Sequence, residues 1–208
     1  MFFYLIPQKI EEMESPINGK IVVEKFRGNF SVKVGGLSQS GGLVENLWAE
    51  ALKNVDINPK NILILGFGSG TLALLLSKKF PESKIIGVDI DKTMINIGKK
   101  YFNINNIKNL VINIAYAEDY LKKTKNRFDL IFVDLYIGEN FPKNFENEVF
   151  LKNISLKLRK SGMVVLNRLY YANHISEADN FLDKLSKIFK NCYSKNIKYN
   201  KVVFAKKI

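Results

Sequence analysis

Cysteine and histidine each occur once in these 208 residues, as Cys192 and His174. A lone thiol excludes an intrachain disulfide and a thiolate metal cluster, so no metal site is expected and a reducing, cytoplasmic setting is. His174 follows Asn173 near the start of a helical pattern and reads as a surface or capping residue. Long apolar runs are missing as well. Met1 to Ile6 is apolar, but it is short, has no basic segment before it and runs into Pro7 and several acids, so it reads as neither signal peptide nor membrane span. Arginine is scarce, at four against 28 lysines, despite a net charge of +12. Lysine scattered over every segment lacks the guanidinium forks and clustered stripes of nucleic-acid recognition. The expected partner is therefore a small molecule, with neither nucleic acid nor membrane involved.

What the chain does contain is concentrated between Asn61 and Asp91, in NILILGFGSGTLALLLSKKFPESKIIGVDID. Ile62 to Leu65 is too short and too β-branched for a helix, and Gly66, Gly68 and Gly70 let the backbone turn tightly and approach a ligand without a Cβ. Leu72, Leu75, Leu76 and Phe80 then keep helical spacing until Pro81, and Lys84 to Val88 supplies a second buried strand. Asp89 closes that strand about twenty residues after the glycines, where a carboxylate can accept both hydroxyl protons of a ribose. Glycines between strand and helix with an acid at the next strand end indicate nucleoside binding. Thr71 stands where a dinucleotide G-x-G-x-x-G needs glycine, which favours a different nucleoside.

Along the rest of the chain, Ile21 to Phe26 and Phe30 to Val34 alternate around Arg27-Gly28-Asn29 and predict a hairpin, with Phe2 to Ile6 as a candidate third strand. Gly35 to Gly42 reads as a glycine-rich loop before a helix bearing Leu43, Leu47, Trp48, Ala51 and Leu52. After Pro59 the pattern predicts strands near 62–66, 84–89, 109–114, 128–134 and 162–167. Helices are expected near 70–80, 92–102, 117–124, 145–159 and 174–190. Short connections of this kind imply right-handed crossovers and a parallel sheet covered on both faces. Asn191 to Lys198 and Lys201 to Lys206 lie too close for a crossover and should pair antiparallel. The expected architecture is α/β: a Rossmann-like class I methyltransferase fold with a mostly parallel sheet ending in an antiparallel hairpin. The expected division is residues 1–55, a β appendage with its linking helix, and 56–208, the nucleoside-binding domain.

Several segments together resemble the spermidine synthase family of polyamine aminopropyltransferases. Glu14-Ser15-Pro16 with Asn18-Gly19-Lys20-Ile21 is similar to its N-terminal E-S-P-Y segment, and Gln39 to a glutamine that lies against the nucleoside. Gly87-Val88-Asp89-Ile90-Asp91 through Tyr101-Phe102 resembles its V-E-I-D and K-Y-F. The resemblance makes Asp89 the ribose acid, with Ile90 beside it. Asp91 reads equally well as the N-cap of the following helix. Phe128 to Asp134 resembles Y-D-V-I-I-x-D, which puts Asp134 in the position of the acid that takes a proton from the attacking amine. A carboxylate at the C-terminal edge of a parallel strand faces the ligand crevice, where an alkylammonium must be deprotonated before it attacks a carbon next to a sulfonium.

The chain departs from that pattern at three positions. Ser69 replaces an acid that in the family holds the amine of decarboxylated S-adenosylmethionine, Ile137 replaces a second acid of the amine site, and Tyr116 replaces an adenine-side acid, with Glu118 or Asp119 as its substitute. Without the acid at 69 a carboxylated cofactor is no longer repelled. On these grounds the sequence favours S-adenosylmethionine as cofactor and methyl transfer to a small-molecule acceptor. Aminopropyl transfer from the decarboxylated cofactor to a diamine is the alternative, and a non-catalytic nucleoside-binding descendant, with the crevice blocked by Phe67 or Tyr136, is the third. The cofactor residues expected are Gln39, Gly66, Gly68, Ser69, Gly70, Asp89, Ile90 and Glu118, and the acceptor pocket is expected to use Tyr136, Glu139, Phe141 and Trp48. A homodimer is compatible with all three readings.

Overall fold

A computed structural model describes residues 6–207. Four strands open the chain, β1 (Gln8–Ser15), β2 (Gly19–Phe26), β3 (Asn29–Val34) and β4 (Leu37–Gly41), in one antiparallel sheet of that order. The β2–β3 turn is only Arg27 and Gly28, both with positive φ, as the tight turn that follows strand twist requires. The same device corrects the expected loop. Gly35 and Gly36 form a second left-handed turn, and residues 37–41 return as β4 beside β3. The glycines serve the hairpin turn rather than dissolving regular structure. The strand proposed at Phe2 to Ile6 lies outside the described residues except for Ile6, which belongs to no strand; β1 pairs with β2 instead. Ile21, Val23, Val32 and Val34 pack this sheet on Met94 and Ile97.

Helix α1 (Gly42–Leu52) leads into the layered core. There β5 (Asn61–Leu65), β6 (Lys84–Asp89), β7 (Leu110–Ile114), β8 (Phe128–Val133), β9 (Leu158–Leu169), β10 (Lys190–Ile197) and β11 (Asn200–Lys206) form a seven-stranded sheet ordered β10-β11-β9-β8-β5-β6-β7. Pairing is parallel from β9 to β7, and β11 slots antiparallel between β9 and β10. Helices α2 (Thr71–Lys79), α3 (Lys92–Tyr101), α4 (Ala117–Lys123), α5 (Glu148–Lys157) and α6 (His174–Ser186) complete the α/β unit. Alternate residues of β5 and β8 face opposite layers, Ile62, Ile64, Leu130 and Phe132 toward Trp48 and Leu76, and Leu63, Leu65, Ile131 and Val133 toward Leu121 and Phe150. Both faces are covered, which is why these strands read as continuous apolar runs.

Three boundaries differ from the sequence expectation. Residues 143–146 form a 3₁₀ turn, and α5 starts only after Asn147, whose Oδ1 caps Phe150 N at 2.8 Å. The last long helix stops at Ser186, and β9 begins at Leu158, four residues early. The strand order reverses at β5, which has β6 on one side and β8 on the other. Ligands of open α/β sheets sit at the carboxyl ends of the strands around such a switch point.

Candidate active site

A cavity opens at that point between the carboxyl ends of β5, β6 and β8. Its wall includes Gly66, Gly68, Asp89, Ile90, Gln39, Trp48, Asp134 and Tyr136 from the expected set, together with Ile17, Asn18, Ala115 and Phe145. Gly66 is required by a close approach: at φ 86° its Cβ would stand 2.0 Å from the carbonyl oxygen of Asp134. The glycine turn and the backbone of Asp134 are thus in contact, and only glycine permits it. Phe67 lies against Gly70 and Gly87, buried beneath the turn, and contributes to the wall of the cavity without filling it.

Asp89 ends β6 with each carboxylate oxygen bonded once, Oδ2 accepting from Gly68 N at 2.7 Å and Oδ1 from Asp91 N at 2.9 Å. Each oxygen retains capacity for a ribose hydroxyl. Burial pushes this carboxyl up to about 6, against the two donated N–H bonds and with help from the neighbouring Asp91 charge. Asp91 itself is buried and has two jobs. Oδ1 caps α3 through Thr93 N at 2.8 Å, while Oδ2 accepts from Ser15 Oγ and Asn18 Nδ2, both at 2.6 Å. The capping role read from sequence is present, and through it the Ser15–Asn18 segment is tied to the cavity wall.

Asp134 follows β8 at the junction of this cavity with a second one. Oδ2 accepts from Trp48 Nε1 at 3.2 Å and Oδ1 from Asn167 Nδ2 at 2.9 Å, and Asn167 Oδ1 accepts in turn from Asn200 Nδ2 at 2.9 Å. Burial raises the Asp134 carboxyl, opposed by the bonds from Asn167 and Trp48. A held, partly desolvated carboxylate of raised pKa suits a general base. Tyr136 lines both cavities, with its phenol accepting from Leu169 N at 2.7 Å and donating to the carbonyl of Asn167. Burial pushes that phenol well above its ordinary value, so it serves as an anchor rather than an acid.

Other expected residues stand elsewhere. Ser69 is fully buried, its Oγ without a partner among the described residues, and neither it nor Gly70 lines the cavity. Glu118 also lies off the wall, accepting from Asn144 Nδ2 at 2.9 Å, while Asn144 and Tyr116 do line it. Glu139 belongs to neither cavity but to an outer groove with His174 and Glu177, and Phe141 lies in that groove too. Asn167 and Asn200 had no sequence signal, since an asparagine in or beside a strand has no pattern of its own.

Arg168 was also invisible to sequence. It is buried, 2.6 Å from Glu146, and sandwiched between the Phe141 and Phe181 rings at 4.0 and 4.8 Å. Phe141 and Glu146 belong to the 137–147 segment, whose Pro142, Asn144 and Phe145 line the first cavity. Arg168→Met keeps the stacked bulk and removes the charge, leaving Glu146 to Lys184 at 3.3 Å. Because Glu146 keeps a partner, we expect the loss of a charged hydrogen bond, about 2 kcal/mol, a Tm lower by about 4 to 8 °C, and faster proteolysis within 137–147. Differential scanning calorimetry and limited proteolysis check this; an unchanged Tm would show that Arg168 does not hold the 137–147 segment in place.

The α/β architecture thus brings two carboxylates, Asp89 at the end of β6 and Asp134 after β8, to one cavity on either side of β5, the layout of a Rossmann-like fold. The spermine/spermidine synthase domain matches residues 44–199, and the chain belongs to that family. It is similar to polyamine aminopropyltransferase 1 of Aquifex aeolicus, at 29% identity over 195 residues, covering 88% of this chain and 64% of that protein. A second relative is the eEF1A lysine and N-terminal methyltransferase of Mus musculus, 27% identical over 158 residues, covering 70% of this chain and 22% of that one. The chain thus spans less than two thirds of either relative. Among solved structures, spermidine synthase from Thermotoga maritima superposes with a TM-score of 0.77 at 20% identity, over 96% of this chain and 73% of that one. Human methyltransferase-like protein 13 in complex with SAH gives 0.63 at 23% identity, over 80% of each chain. Both share the fold. No helix among the described residues is long and apolar enough to cross a membrane, which says nothing of β-barrels.

Proposed function

We propose that this protein transfers the aminopropyl group of decarboxylated S-adenosylmethionine to an amine. The observation that carries the reading is Asp134, clamped by Trp48 and Asn167 where the nucleoside cavity meets a second cavity. Asp89 and the Gly66–Gly68 turn would hold the nucleoside. The sulfonium donor supplies an electrophilic carbon; Asp134 takes the proton of the acceptor ammonium. The freed nitrogen lone pair forms the new C–N bond as the C–S bond breaks, its electron pair returning to sulfur. Positioning and desolvation by Trp48, Tyr136 and the 137–147 segment supply the rest. Family membership and the Aquifex aminopropyltransferase support this donor.

Methyl transfer from S-adenosylmethionine, favoured by the sequence reading, is the second reading. It draws on Ser69 and on the mouse methyltransferase relative. Ser69 supports it weakly, because a serine that does not line the cavity offers a carboxylate no seat. Incubating the protein with each nucleoside, labelled in the transferable group, and an amine mixture tests the choice. Label entering amine only from the decarboxylated donor is the expected result, and label entering only from S-adenosylmethionine refutes aminopropyl transfer.

A further inference from the structure

The second cavity, about 360 Å³, falls at the small end of ligand pockets. Asp134, shared with the first cavity, lines it together with apolar side chains, among them Leu37, Leu43, Leu47 and Leu169, with Lys198 and Tyr199 of the β10–β11 turn, and with Tyr171 beside Tyr199. Among the described residues lining it, Asp134 and Lys198 carry the only charges, one of each sign. Ile137, three residues beyond Asp134, is apolar and exposed. Burial raises the phenol of Tyr171, and the Glu139 carboxylate beside it adds to the rise; Glu139 itself lines the outer groove with His174 and not this cavity. Asp134 can therefore neutralise one ammonium, whereas a second finds no other carboxylate on this wall and is repelled by the Lys198 ammonium.

Resting on the transfer reading above, the geometry points to an acceptor with a single positive charge: a primary amine whose far end is neutral or anionic, rather than a diamine. The reacting nitrogen sits at Asp134 and the apolar stem along the leucines. The far group lies among Tyr171, Tyr199 and Lys198. Specificity comes from an unpaired charge set against the wrong acceptor as much as from contacts to the right one.

Three probes of equal chain length test this: pentylamine, 5-aminopentanoate and 1,5-diaminopentane, titrated calorimetrically into the protein saturated with 5′-methylthioadenosine, the neutral thioether left after transfer. Either probe with a single ammonium is expected to bind at least tenfold more tightly than the diamine, and Lys198→Glu, at an exposed turn, to raise diamine affinity and lower that of 5-aminopentanoate. A diamine that binds the unaltered protein most tightly, or a Lys198→Glu variant with the same ranking, overturns the inference. Turnover of the same probes with the labelled donor separates the two claims. If the diamine is the best substrate, only the acceptor inference falls; if no amine is a substrate with either donor, both fall.

Discussion

Asp134→Asn is expected to lower turnover about a hundredfold or more, the scale of a lost general base, while nucleoside affinity stays near that of the unaltered protein. Both carboxylate oxygens accept, one from Trp48 Nε1 and one from Asn167 Nδ2, and an amide offers a single acceptor. Its NH₂ must face one of these donors. Asn167 cannot flip to relieve the clash without breaking its own bond from Asn200. A stability loss of about 1 to 3 kcal/mol therefore accompanies the kinetic effect. Steady-state assay beside a thermal melt separates the two, because the remaining folded protein should still be slow. Full activity in the Asn variant would show that the site works by proximity alone.

Asp89→Ala is expected to weaken nucleoside binding by about 1.5 to 3 kcal/mol, or roughly tenfold to a hundredfold, since the ribose hydroxyls lose a charged acceptor. Gly68 N and Asp91 N lose theirs as well. The same carboxyl predicts a pH dependence. It is held at about 6 instead of its ordinary 3.8, so the folded protein binds this proton more tightly than the unfolded chain does. Asp89 therefore costs stability above about pH 6, and that cost fades as the pH falls toward 4. Nucleoside binding runs the other way, because only the ionised form accepts two hydroxyl protons, so affinity should decline as the pH drops through 6. Thermal melts between pH 4 and 8 check the first effect, and calorimetric titrations of the nucleoside between pH 5 and 8 the second. Equal affinity for the Ala variant, or a flat profile in the unaltered protein, would mean that Asp89 is purely structural.

The sequence alone determined the features that depend on neighbours in the chain. Gly66 and Gly68 turn the backbone after β5, Asp89 ends β6, Asp134 follows β8, and Asp91 caps α3, because strand length, glycine placement and capping are local properties. Parallel crossovers then bring the strand ends to one edge, so the placement of Asp89 and Asp134 on one cavity was legible before any coordinates. Even the misread loop at 35–42 had a local remedy, since two adjacent glycines flanked by short polar-apolar alternation permit a hairpin turn. Tertiary structure decided what lies around those carboxylates. Trp48 reaches Asp134 across 86 residues and Asn167 across 33, and Asn167 meets Asn200 only because β11 inserts beside β9. Ser69, aligned with a ligand-facing acid, turns into the core, and Lys198 joins the second cavity through a turn far along the chain. Side-chain direction and long-range contact follow from packing of whole layers, which no local pattern encodes.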